Sequence, residues 1–307
     1  MAVTNNVWLH RYAVFTAAAT FLLIIAGALV TSNEAGLSVP DWPLSYGTWM
    51  PPMVGGIFYE HGHRMVASFV GFLTIILAVW LARAEDRRWV KVLGWAALGA
   101  VILQGVLGGL TVLFLLPAAV SVGHACLAQL FFCMVVSLAA VTSPDWRRRQ
   151  GEPTRPRADE GSPTLRHLCL AANGAILLQL ALGAALRHKA FGILPHLGGA
   201  ALVTVLVFWI MVRSVSRHAD EPRVFGWSLA LNGMLMLQLI LGAAAYWIRQ
   251  ETGHIPQPLP LMVALTVTHV AAGAALLATS VVLSIQAHAL LPAGRALAGK
   301  PEVAVTT

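Results

Sequence analysis

Eight apolar runs of membrane-spanning length divide this chain, and they leave few folds open to it. They fall at roughly 12–31, 62–82, 92–114, 118–141, 165–186, 192–213, 224–247 and 261–287. A helix crossing a bilayer needs about 20 apolar residues, and hydrocarbon offers the backbone no partner but itself. The expected fold class is an all-α membrane protein with eight transmembrane helices. Only 11% of the 307 residues are charged, against about 25% in a soluble domain. The run after Met1–Arg11 is too long for a signal-peptide core and lacks a convincing cleavage site, so it reads as the first span.

The basic residues lie in short connections between the runs. Topology therefore accounts for the net charge of +7, and no nucleic-acid partner is implied. With the N-terminus inside, sixteen Lys and Arg fall on inner segments, among them Arg83, Arg87, Arg88, Lys91, Arg147–Arg149, Arg155, Arg157, Arg295 and Lys300. Only Arg64, Arg187, Lys189 and Arg249 fall on outer ends. This bias places both termini in the cytoplasm, in a multi-pass protein of the cytoplasmic (inner) membrane surrounded by lipid. Segment 32–59 then faces out.

A second polar stretch, 143–164, is rich in Arg, Pro, Asp and Glu and reads as a flexible cytoplasmic linker. It separates an N-terminal four-helix bundle, 1–142, from a C-terminal one, 165–307. The halves look related. Leu103-Gln-Gly-Val-Leu-Gly-Gly109 resembles Leu178-Gln-Leu-Ala-Leu-Gly-Ala184 and Leu237-Gln-Leu-Ile-Leu-Gly-Ala243, with a weaker copy at Ile24-Ile-Ala-Gly-Ala28. Any one copy fits ordinary small-residue packing. Recurrence on all four odd spans argues for two tandem, pseudo-symmetric bundles related as parallel repeats. Such glycines let a neighbouring helix, or a flat cofactor, approach closely.

Four of the eleven histidines occupy matching places. His63, His124, His196 and His269 lie on the four even spans, each in the outer half. Six others sit in loops or at span ends and read as solvated or interfacial, and His61 is grouped with them. A lone buried histidine fits a structural role. Two facing pairs at one depth fit axial ligation of haem iron, with small residues leaving room for the porphyrin. Zinc would need third and fourth protein ligands that do not accompany either pair. A proton relay would not need two matched pairs.

Tyr59-Glu-His-Gly-His-Arg64 stands at the mouth of the second span. Glu60 and His63 share a helical face. The group fits either a polar cap at headgroup level or a site for proton transfer beside a ligand. Arg64 fits an interfacial side chain or a bidentate contact to a carboxylate such as a haem propionate. The preceding loop, Gly36-Leu-Ser-Val-Pro-Asp-Trp-Pro-Leu-Ser-Tyr-Gly47, fits both an aromatic belt and a lid over a cofactor. Cys126, Cys133 and Cys169 form no CxxC or loop pair, so neither a disulfide framework nor a zinc site is indicated. No nicotinamide or flavin fingerprint and no iron–sulfur pattern appears.

Together, Gly36-Leu-Ser-Val-Pro-Asp-Trp-Pro, Glu60-x-x-His63-Arg64, Leu103-Gln-x-x-Leu-Gly-Gly-Leu-Thr111 and Gly123-His124 resemble the haem A synthases. The second-half histidines and the eight-span plan match as well. The resemblance implies an oxidoreductase that converts a methyl group of haem O to the formyl group of haem A for cytochrome oxidase. It implies a haem b held by His196 and His269, and a substrate haem near His63 and His124, with Glu60 in the chemistry. Implied partners are a haem O synthase (a farnesyltransferase) as supplier, cytochrome oxidase as recipient, and an unidentified electron acceptor or donor. Many relatives carry a cysteine pair flanking the PDWP motif; here Val39 and Ser45 stand there, so a disulfide-dependent step is absent or replaced by loop packing. The competing readings are a quinol-linked di-haem membrane cytochrome b, which leaves Glu60 and the loop unexplained, and a transporter, which predicts more polar midplanes than Gln104, Gln179 and Gln238 supply.

Overall fold

The computed structural model describes residues 6–149, 159 and 162–291. Eight long helices carry the chain: α1 (Val7–Ser32), α2 (Gly55–Ala84), α3 (Arg88–Leu113), α4 (Ala118–Val141), α6 (Leu165–Arg187), α7 (Ile193–Arg217), α8 (Pro222–Thr252) and α9 (Pro260–Leu290). All eight are long and apolar enough to cross a membrane. A short helix, α5 (Pro144–Arg149), lies within the segment read as a linker. Asp145 of α5 pairs with Arg223 at the start of α8. Arg155, Arg157, Arg295 and Lys300 are outside the described residues.

The helices overrun the apolar stretches by four to seven residues at the starts of α1, α2 and α3 and at the ends of α7 and α8, and agree within three residues elsewhere. Hydropathy marks only the hydrocarbon layer, whereas the helix continues through the headgroup level, where capping becomes possible. Asn6 caps α1 by accepting from Leu9 N–H at 3.0 Å. The Asp159 carboxylate accepts from Leu165 and Arg166 N–H at the start of α6, each at 3.0 Å. Pro222 and Pro260 open α8 and α9, where a missing N–H costs nothing. Three odd spans end alike. Ala35 N–H bonds Val30 C=O, Leu116 bonds Thr111, and Ala190 bonds Ala185. These six-to-one closures place Glu34, Leu115, Leu116 and Lys189 at positive φ and satisfy carbonyls that the helix leaves open.

Within the spans, hydroxyls turn back on the helix that carries them. Thr16, Thr20, Thr74 and Ser228 each donate to the carbonyl four residues earlier, which removes the cost of a polar group in hydrocarbon. Helices α1 to α4 pack as one ring, α1 against α2 and α4, α3 against the same two. Helices α6 to α9 repeat that arrangement. The groups meet where α1 and α4 lie against α9, and α4 against α6. Ala274 of α9 belongs to the apolar core of the first group, and Cys133 of α4 packs on that of the second. At the loop end of this seam, Arg187 donates to Ser32 Oγ at 3.0 Å, and Ser32 bonds Thr266 Oγ1 at 3.0 Å.

Candidate haem site and its polar lid

All four even-span histidines lie within the first ten residues of their helices, towards the face that carries the loop between α1 and α2. Each imidazole is seated on a glycine of the preceding odd span. A Cβ at Gly27 would lie 3.2 Å from His63 Cε1, and one at Gly108 3.2 Å from His124 Cε1. A Cβ at Gly183 would lie 3.1 Å from His196 Cε1, and one at Gly242 2.9 Å from His269 Cε1. Such approaches are tighter than ordinary contact, so these four positions accept no larger residue without moving the ring. The recurring motif glycines are thus imidazole seats, a pairing that the sequence shows only through matching depth.

Three of the four seats carry a glutamine one turn earlier. Gln104 donates to the His124 carbonyl at 2.9 Å. Gln179 donates to the His196 carbonyl at 3.0 Å, and the same nitrogen lies 3.1 Å from the ring's Nδ1. The Gln238 amide nitrogen lies 3.2 Å from His269 Nε2. The corresponding residue before Gly27 is Leu23.

In the C-terminal half the two rings lie edge to face, with centroids 6.4 Å apart and planes at 69°. Two imidazoles sharing one metal through bonds of about 2 Å place their centres roughly 6 Å apart. In the N-terminal half His63 and His124 rest on Gly27 and Gly108 in the same way. The Nδ1 atoms of His63, His124 and His269 are buried without a hydrogen-bond partner. No group of three or more His, Cys, Asp or Glu forms among the described residues. Paired imidazoles with no further protein ligand suit an iron whose equatorial ligands come from a porphyrin, so the donor set fits haem.

The first half has a lid that the second lacks. Residues 33–54 fold over its mouth, and Trp42 lies flat enough on α3 that a Cβ at Gly109 would come 2.7 Å from the ring. Ser38 packs so closely on α2 that a side chain at Gly56 would collide with it. The tip is a tight turn, with Ser45 and Thr48 exchanging backbone bonds at 3.0 and 3.1 Å. Its central residues, Tyr46 and Gly47, have φ of 55° and 70°. The Asp41 carboxylate accepts from Tyr46 and Gly47 N–H at 2.7 and 2.8 Å. The Gly47 bond leads the interactions that hold Asp41 below the usual carboxylate pKa. The loop folds back on α2 and α3, while Trp42, Tyr46 and Trp49 stay exposed as in an aromatic belt.

Helix α2 begins at Gly55, so Glu60, His61, His63 and Arg64 lie inside the helix rather than at its mouth. Glu60 is 4% exposed. Its Oε1 accepts from Arg64 at 2.6 Å and its Oε2 from Val39 N–H at 2.8 Å. Arg64 also donates to the carbonyls of Asp41 at 2.8 Å, Leu44 at 2.9 Å and Val39 at 3.4 Å. Its fork is engaged with the lid; a propionate contact would use Nε or exchange one of these carbonyls. His61, expected to be solvated or interfacial, is instead 6% exposed and bonds Ser45 Oγ through Nδ1 at 2.8 Å. The lid covers that side of α2 and supplies the partner, which removes it from solvent. Val39 and Ser45 are both buried against this cluster.

Over residues 10–55 and 53–195 the sequence matches the family Cytochrome oxidase assembly protein, COX15-CtaA. The chain belongs to this family. The heme A synthase of Symbiobacterium thermophilum is 30% identical to this chain over 241 residues, covering 70% of this chain and 78% of the relative. Those of Alkalihalophilus pseudofirmus and Halalkalibacterium halodurans are 32% and 34% identical over 149 and 141 residues, and the chain spans about half the length of each (50% and 45%). The family match takes in the lid, Glu60, His63 and His124 and ends one residue before His196. His196 and His269 lie beyond that match and are paired by their ring contact.

Proposed function

We propose that this protein is a haem A synthase of the cytoplasmic membrane, with both termini cytoplasmic and the lid on the outer side. It takes haem O as substrate and oxidises one ring methyl group to the formyl group of haem A. The observation that carries this reading is the doubling of the imidazole pair with one carboxylate, Glu60, beside only one of the pairs. A resident cofactor needs two firm ligands. A substrate needs ligands and a reacting group.

His196 and His269 hold haem b in the C-terminal half; when bound, it supplies one-electron redox capacity. His63 and His124 orient the substrate haem in the N-terminal half. Oxidation of methyl to formyl adds one oxygen atom from water and releases four protons and four electrons, and the electrons pass to an electron acceptor outside this chain. Glu60, one helical turn before His63, takes a proton from the reacting carbon or stabilises positive charge that develops there. Val39 N–H and Arg64 fix its rotamer. A haem O synthase supplies the substrate, and cytochrome oxidase receives the product.

The test is the pigment. Haem extracted from purified protein and identified by mass should include haem b together with haem O or haem A. His196→Ala or His269→Ala should remove most of the haem b and its low-spin spectrum. Haem b alone in the wild type, or full haem b in both variants, would overturn the assignment.

A further inference from the structure

The four imidazole seats share one plan with one exception. Gln104, Gln179 and Gln238 stand one turn before Gly108, Gly183 and Gly242, and each bonds the histidine residue seated there, through its carbonyl or its ring. At the remaining seat Gly27 receives His63, but the residue one turn earlier is Leu23. Among the described residues no side chain donates to His63; its Nδ1 is buried without a partner, as are those of His124 and His269, so the difference lies in the missing glutamine. Leu23 is itself half-buried against the apolar core of its bundle. Three histidines are therefore tied across a helix pair, and one is held by packing alone.

A hydrogen bond from the neighbouring helix, at the backbone carbonyl of His124 and of His196, fixes the residue that carries the ligand; losing an outer partner that orients a ligand typically costs about 10–100-fold in affinity. A resident haem gains from two tied ligands, and the C-terminal half has both. A substrate haem has to leave after reaction, and one ligand must break first. We infer that Gln104, Gln179 and Gln238 are positioning residues for His124, His196 and His269, and that Leu23 leaves His63 as the displaceable ligand of the substrate haem. Exchange then proceeds by loss of the His63 bond while His124 keeps its place. This inference rests on the proposed assignment of His63 and His124 as ligands of the substrate haem.

Placing an amide at position 23 tests it. Protein loaded with haem O is reduced and mixed with carbon monoxide, which competes with a weak axial histidine. In parallel, haem transfer to excess apomyoglobin is timed. Leu23→Gln should slow both carbon monoxide binding and transfer from the N-terminal half by about 10-fold, the scale of one outer hydrogen bond. Leu23→Met keeps the volume without the amide and should behave as wild type. Gln104→Leu should speed transfer, and it carries the test alone if Leu23→Gln does not fold. Wild-type rates in both Leu23→Gln and Gln104→Leu would overturn the inference, as would equal slowing by Leu23→Met. If wild-type protein takes up no haem O, the assignment of the N-terminal site fails instead.

Discussion

The two halves place the same four parts, two histidines on two glycines, in different surroundings. Three residues before His63 stands Glu60; the matching positions before His124, His196 and His269 are Ser121, Ile193 and Thr266. After the seat glycine, the motif has Ala28, Ala184 and Ala243, but Gly109 in α3, where Trp42 of the lid lies on the helix. The C-terminal half has glutamines at both seats and no long loop over its mouth. The N-terminal half has one glutamine, a carboxylate and a lid. Under the proposed assignment, a few residues around a recurring imidazole pair distinguish a holding site in one half from a reaction site in the other.

The sharpest way to break this comparison is Glu60→Gln. The two side chains are nearly the same size, so packing and reach are kept while the charge is deleted. Turnover should fall by about 10²–10⁴-fold, as for a missing acid–base group. Haem b should be untouched, and haem O or a hydroxymethyl form should accumulate. Chromatography of haems from cells supplied with haem O reads the result, and wild-type haem A would return Glu60 to a purely structural tie between α2 and the lid.

Gly109→Ala gives the α3 seat the residue found at the other three. The new methyl meets the Trp42 ring, and the lid must shift at a cost of about 1–3 kcal/mol. Faster proteolysis of segment 33–54 and a changed Trp42 environment are expected. Ala243→Gly, the reverse change in the other half, should cost about 1 kcal/mol of helix stability and leave the lid as it was. Equal lid protection in both variants would show that Trp42 is not seated by Gly109.

A smaller effect is expected from acid. The Gly47 and Tyr46 N–H bonds keep the Asp41 carboxylate below its ordinary pKa of 3.8. A lowered folded-state value means that the unfolded loop binds the proton more readily. The contribution to loop order is therefore complete above the ordinary value and lost as pH falls through the lowered one. Exchange protection of the Tyr46 and Gly47 amides should hold down to mild acid and fail only below that range. The smallest effect is none: with Val39 and Ser45 buried in the lid and three free cysteines in the spans, thiol reductants should leave lid protection and activity unchanged. Inhibition by mild reductant without haem loss would point to Cys126, Cys133 or Cys169.

The spans were legible because a bilayer imposes one length and one composition, and the four histidines because ionisable groups in such spans stand out. The Glu60–Arg64 cluster was legible as unusual, but its partners were not. Val39 and Ser45 carry no signal in sequence, since a backbone N–H and a serine hydroxyl bond whatever the fold brings near them. His61 looked solvated because nothing in its own segment covers it; the cover is 16 residues away at Ser45. The pairing of each glycine with a histidine of the next span was open to reading from equal depth and from the glutamine one turn earlier, a period that helix geometry makes meaningful.

From the sequence alone came the membrane, the eight helices, the repeat and the residue types able to ligate iron, because these depend on local composition and spacing. Tertiary structure decided which ring sits on which glycine, that the Gln104 and Gln179 amides reach histidine carbonyls while Gln238 reaches a ring, that Arg64 clamps the lid, and that His63 alone is untied. Those are distances across helix pairs, set by how side chains of different spans interlock, and no pattern along a single span contains them.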